Sequence, residues 1–98
     1  HDLLVTPAMP IPAFEAGRLS PGADDPHWAW LGWTPFSYPF NLTQQPAASL
    51  PCGFTAAGLP VGLQLVGRMF DDATVLRAAA ALETELALTG RHPPLSIP

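Results

Sequence analysis

Proline occupies 13 of the 98 positions, and its placement decides where this chain can form regular structure. Proline has no backbone donor and pushes the residue before it out of the helical region. Pro7, Pro10 and Pro12 close the first segment, Pro21 and Pro26 punctuate the second, and Pro35, Pro39, Pro46, Pro51 and Pro60 divide the middle. Only between Pro60 and Pro93 is there room for a long helix, and the sequence there predicts one from Asp71-Asp72 to about Leu88. The aspartates suit the free amides of a helix start, and Gly90 suits the left-handed turn after its end. Val75, Leu76, Ala79, Leu82 and Leu86 recur at helical spacing opposite Thr74, Arg77 and Glu85, while Ala78 to Ala81 permit close approach to a sheet.

Strands are expected in the shorter windows. Asp2-Leu3-Leu4-Val5-Thr6 is a brief apolar run closed by Pro7, and reads as a strand buried on both faces. Ala47 to Leu50 begins a second strand that continues as Cys52-Gly53-Phe54, and Pro51 within it implies a sheet edge or a bulge. Thr55-Ala56-Ala57-Gly58 reads as the turn of a hairpin whose other arm is Val61 to Val66. Alternation puts Val61, Leu63 and Leu65 on one face of that arm and Gly62 and Gln64 on the other. Gly62 leaves room for a backbone or a ligand beside Gln64, whose amide is otherwise expected to be buried and satisfied by neighbouring backbone.

Ala13 to Trp33 carries Gly17, Pro21, Gly22, Asp24, Asp25 and Pro26, the composition of a long loop. Six of the nine aromatic residues then fall together: Trp28, Trp30, Trp33, Phe36, Tyr38 and Phe40. They either pack the loop onto the body of the fold or line a cavity for substrate. Thr34-Pro35 can start a helical segment, with one or two irregular turns expected between Pro35 and Thr43.

The chain is long enough for a single domain, residues 1–98. Charged residues make up 12% against 48% hydrophobic, too few to cover an independent surface, and the sequence starts at His1 directly before an apolar run. Both features suggest a segment of a larger protein. A run of 18 apolar residues is absent, so no membrane partner is expected. One cysteine, Cys52, forms no internal disulfide; it is expected to be a small buried hydrophobe in a cytoplasmic protein. The net charge is −4 and the four basic residues, Arg18, Arg68, Arg77 and Arg91, are dispersed, which argues against direct contact with nucleic acid.

Chemistry-bearing patterns are sparse. His1, His27, His92 and Cys52 lack metal-ligand spacing, so neither a metal nor a cofactor is expected. Gly58, Gly62 and Gly67 are not followed by the lysine of a phosphate-binding loop. Asn41-Leu42-Thr43 matches a glycosylation acceptor, a pattern frequent by chance. Ser37 and Ser49 lack the nucleophile-elbow context, Asp24-Asp25 and Asp71-Asp72 fit turn and cap chemistry, and Cys52 has no basic neighbour in sequence.

Three blocks carry a resemblance: Thr34 to Thr43 (TPFSYPFNLT), Gln45 to Phe54 (QPAASLPCGF) and Gly58 to Gly67 (GLPVGLQLVG), with Asp2 to Pro7 (DLLVTP) ahead of them. In order and spacing they resemble the carboxy-terminal part of amidase-signature enzymes, over about nine-tenths of the chain. The resemblance implies an α/β fold, with strands of a mixed sheet and a long carboxy-terminal helix here. It also implies a parent that hydrolyses a small-molecule carboxamide with a serine, a second serine in a cis peptide and a lysine. Those residues would lie upstream. Lysine must take the serine proton in that relay, and the present sequence contains no lysine. This segment would add sheet, helix and a wall of the acyl pocket, for which Thr34, Phe36 and Tyr38 are the candidate substrate-binding residues.

Two positions depart from the family pattern. Gln44 stands where glycine is usual and tolerates positive φ poorly. In the related A subunits of tRNA amidotransferases an acidic residue binds the amino group of glutamine, and the matching position here is Thr34, whose neutral hydroxyl cannot pair with an ammonium. A general amidase parent is therefore favoured over an amidotransferase subunit. Outside the enzymes, the alternatives are a binding module using its aromatic loop and a non-catalytic segment that self-associates through faces the remainder of the parent would cover. Assayed alone against aliphatic and aromatic amides, the 98-residue chain should show no turnover above buffer. Hydrolysis abolished by a single substitution within it would contradict that expectation.

Overall fold

A computed structural model describes residues 1–22, 25–27, 29, 31–88 and 90–91. Its elements are β1 (Leu4–Pro7), α1 (Tyr38–Thr43), β2 (Ala47–Phe54), β3 (Pro60–Val66) and α2 (Asp72–Leu86). The three strands form one sheet in the order β1-β3-β2, so the last strand in sequence is the central one. Both pairings are antiparallel, with Thr6 opposite Gln64 on one side and Ser49 opposite Gln64 on the other. This is the expected α/β segment of strands and a long final helix, and the mixed character of the sheet is not expressed among the described strands.

The hairpin forms where the sequence places it. Thr55 N–H donates to Leu59 O at 2.8 Å, Gly58 N–H returns to Thr55 O at 2.9 Å, and Thr55 Oγ1 accepts from Leu59 N–H. Gly58 has φ 83°, open to glycine at little cost. Pro51 falls where the β2 register slips between Pro51 and Gly53, as a bulge on an edge strand.

α2 lies across β2 and β3 on the face that carries Ala48, Leu50, Leu63 and Leu65, and Leu65, Val75 and Ala79 are the centre of the core. Gly67 is required here, because a Cβ would stand 2.5 Å from Val75 Cγ2. Four sequence expectations are corrected in this region. Leu76 is 65% exposed, because the inward stripe runs through Val75, Ala78, Ala79 and Leu82 instead. The helix stops at Leu86 with Ala87 in the left-handed conformation, its N–H bonded to Glu83 O, so Gly90 is not the cap. Asp71 occupies the N-cap position without a side-chain capping bond, leaving Asp72 in the first turn to favour the dipole. Cys52 is only half-buried, because it sits at the bulge of the edge strand.

A fifth correction concerns β1. Its apolar run predicts burial on both faces, but Leu4 and Val5 are exposed, since β1 is an edge strand and α2 packs on β2 and β3. Met69 and Phe70 are also exposed, Phe70 to 90%, with φ 66°. A positive φ on an aromatic residue costs about 1–2 kcal/mol, an unusual outlay for a ring left in water. Such surface calls for cover. The isolated chain should therefore associate, and sedimentation should show dimers or larger species at micromolar concentration. A monomer with a sharp cooperative melt would contradict this.

Candidate functional site

The second face of the sheet carries Thr6, Gln64 and Ser49 in one cross-strand row. Gln64 is the buried polar residue of the described core, 9% exposed. Its Nε2 donates to Phe36 O at 2.8 Å and to Thr6 Oγ1 at 3.0 Å. The Thr6 hydroxyl proton goes to Pro7 O, so Thr6 can only accept from Gln64. With two acceptors facing it, the amide must present its nitrogen, and the assignment of the side chain is determined by the network. The sequence expectation of a buried amide satisfied partly by backbone is met.

Phe36 belongs to a run of tight turns. Thr34 N–H donates to Leu31 O and Ser37 N–H to Thr34 O, so residues 31–37 form a unit of consecutive hydrogen-bonded turns. Thr34 does not start a helix: its Oγ1 donates to Leu31 O at 2.9 Å, and α1 begins only at Tyr38, with Pro39 in its first turn. α1 ends at Gln44, which adopts φ 58° despite its side chain. The turn expected of glycine is thus retained. Gln45 secures the next segment, donating through Nε2 to Gly67 O and accepting through Oε1 from the Thr43 hydroxyl.

Residues 8–14, Trp33, the middle of β2 and the start of β3 line an open cavity of about 590 Å³. Its lining includes Met9, Ile11, Phe14, Trp33, Ser49 and Gly62, and no charged side chain. Phe14 and Trp33 meet edge to face with ring centroids 5.1 Å apart, a favoured arrangement of aromatic quadrupoles. A Cβ on Gly62 would lie 2.9 Å from Ala8 Cβ, so the close approach anticipated at this glycine is made by the loop that follows β1.

None of the three sequence-nominated residues is on the lining of this cavity. Thr34 adjoins Trp33 and is partly buried, Phe36 offers its carbonyl to Gln64, and Tyr38 opens α1 with its ring substantially exposed. Of the six clustered aromatics, Trp33 lines the cavity, Phe36 and Phe40 are half-buried, and Trp28 and Trp30 lie outside the described residues. Sequence reasoning misses Phe14 because it stands alone in a loop, far along the chain from its partner ring Trp33. Elsewhere, Arg68 joins Asp2 at 3.0 Å and Arg91 lies 4.1 Å from the centre of the Phe54 ring. Among the described residues no cluster of His, Cys, Asp or Glu could hold a metal, and no helix is long and apolar enough to cross a membrane.

Comparison with known proteins decides the family. The family profile described as Amidase matches residues 1–76. This chain belongs to the amidase family. Among its curated relatives, the A subunit of glutamyl-tRNA(Gln) amidotransferase from Myxococcus xanthus is 46% identical over 94 residues, covering 96% of this chain and 18% of the relative. The corresponding protein of Moorella thermoacetica is 46% identical over 97 residues, or 99% of this chain and 19% of the relative. Among solved structures, 6-aminohexanoate cyclic dimer hydrolase superposes with a TM-score of 0.79 at 32% identity, over 95% of this chain and 21% of that one. The same hydrolase complexed with substrate gives 0.80 at 33%. This amidase-family chain therefore spans about a fifth of the length of its relatives. The exposed surfaces of β1 and of the Met69-Phe70 corner are consistent with that share.

Proposed function

We propose that this chain forms the sheet-and-helix wall of the acyl-binding pocket in an amidase that hydrolyses neutral carboxamides, with the catalytic serines and lysine supplied by other parts of the parent protein. The observation that carries the reading is the uncharged cavity beside Thr34 in a chain of this family. A glutamine amide brings an ammonium and a carboxylate, and both need charged partners to leave water. The cavity offers rings, aliphatic side chains and the Ser49 hydroxyl. Thr34 has committed its proton to Leu31 O, so it can accept a hydrogen bond from a substrate N–H but has no charge to pair.

Thr34, Phe36 and Tyr38 are the substrate-facing residues of this reading, on the segment that follows Trp33. The partners are the amide and the remainder of the parent chain; an isolated segment would self-associate in place of the latter. A cytoplasmic location belongs to the same reading. Residues 1–98 act as one unit of the parent's domain rather than as an independent one. A second reading, part of an amidotransferase A subunit that takes glutamine, is favoured by the 40–48% identity to such subunits.

The two readings diverge in substrate preference. In the intact parent, kcat/KM for an aromatic amide should exceed that for glutamine. Phe36→Ala or Tyr38→Ala should cost about 1–3 kcal/mol of discrimination, mostly for bulky substrates. Thr34→Asp should shift preference toward glutamine by supplying a carboxylate. Preference for glutamine in the unsubstituted enzyme would favour the amidotransferase reading. Unchanged ratios in all three folded variants would leave this segment with a packing role.

A further inference from the structure

We infer that Gln64 is a positioning residue for substrate selection: its buried amide holds the 31–37 turn unit against the sheet and thereby sets where Trp33 stands in the cavity. The inference rests on the amide-hydrolysis reading above, and adds to it a residue that touches neither the cavity nor the reacting atoms.

Trp33 is half-buried on the cavity lining. Its indole Nε1 is buried without a hydrogen-bond partner among the described residues, so no described polar contact pins the ring. It rests on Phe14, which belongs to a loop, and an edge-to-face contact tolerates sliding over a range of centroid distances. Its hydrogen-bonded tie to the sheet among the described residues therefore runs through its backbone. That backbone is stiffened internally by the Thr34-to-Leu31 and Ser37-to-Thr34 bonds. Among the described residues, the Gln64-to-Phe36 bond is the one hydrogen bond that ties residues 31–37 to the sheet.

The chemistry of an amide suits this task. Nε2 carries two protons in a fixed fork, one for Phe36 O and one for Thr6 Oγ1, so the turn unit is referenced to β3 and β1 together. Ser49, the cross-strand neighbour of Gln64 on β2, contributes to the cavity lining, as does Gly62, the previous residue of β3 on the same face. One side chain thus relates the sheet part of the lining to the aromatic part. Phe36 O, Thr6 and Ser49 around Gln64 are all uncharged, so no ionisable neighbour substitutes for the amide. An aliphatic replacement would leave Phe36 O and Thr6 Oγ1 without this donor, releasing the turn unit while preserving the apolar packing of β3.

The test uses the intact parent enzyme, with benzamide as a bulky neutral amide and acetamide as a small one. In Gln64→Met the ratio of kcat/KM for benzamide over acetamide should fall roughly tenfold, mainly through a higher KM for benzamide, because acetamide does not need the Trp33 wall. Equal loss for both substrates would mark a purely structural role and overturn the inference, as would an unchanged ratio. Gln64→Glu provides a second arm with the same shape, measured at about pH 5 and about pH 8. Protonated, its carboxyl can still donate to Phe36 O; ionised, it repels that carbonyl, and burial raises its pKa. The ratio should stand nearer the unsubstituted value at the lower pH, and a ratio indifferent to pH would contradict the proposal. If neither variant yields soluble enzyme, Gln64 is structural and the inference fails. Should the unsubstituted enzyme cleave neither amide, the functional reading itself is what falls.

Discussion

The central position of β3 is the constraint on which the remaining arrangement depends. A strand with partners on both sides has its backbone groups committed to the ladder, so its side chains alone are left to organise the two faces. On one face Leu65 meets Val75 and Ala79, fixing α2 to the sheet through apolar burial. On the other, Gln64 meets Thr6 and Phe36, fixing the turn unit ahead of α1 through hydrogen bonds. Burial of Leu65 is worth about 1.5–3 kcal/mol and is indifferent to direction. Each hydrogen bond contributes about 1 kcal/mol but specifies an atom, and a site needs that specification more than it needs stability.

Local patterns are legible where the chemistry is local. The Thr55–Gly58 turn, the bulge at Pro51 and the helix after Asp71 each arise from residues within a few positions of one another. The two faces of β3 are legible for the same reason, since alternation is a property of the strand itself. Features that depend on distant partners are not. Gln64 stands out in the sequence, but Phe36 is 28 residues away and Thr6 is 58, and nothing in periodicity pairs them. Phe14 has no local signal at all. Leu4 and Val5 read as doubly buried because apolar runs usually are, whereas no described element covers them.

Gln44 shows a different kind of limit. Its φ of 58° is unfavourable for a residue with a Cβ, and local preference alone would disturb the turn. The turn persists because Gln45 and Pro46, immediately after it, are bonded to Gly67: Gln45 Nε2 to Gly67 O, and Gly67 N–H to Pro46 O. Two long-range bonds outweigh a local penalty of about 1–2 kcal/mol. The same logic holds at Gly62 and Gly67, where close packing of Ala8 and of Val75, respectively, excludes any side chain. In each case tertiary contact decides a position that local preference leaves undetermined.

Membership of the amidase family and the geometry of this face converge on one physical account: an uncharged cavity lined by the sheet, by the loop of residues 8–14 and by Trp33. The most direct measurement is a crystal structure of the intact parent with the carboxylic acid product of an aromatic amide bound. The account predicts its aryl group in contact with Trp33 and Phe14, with Gln64 Nε2 still bonded to Phe36 O. An acyl group bound remote from this cavity, or seated there with the Gln64 bond broken, would contradict it.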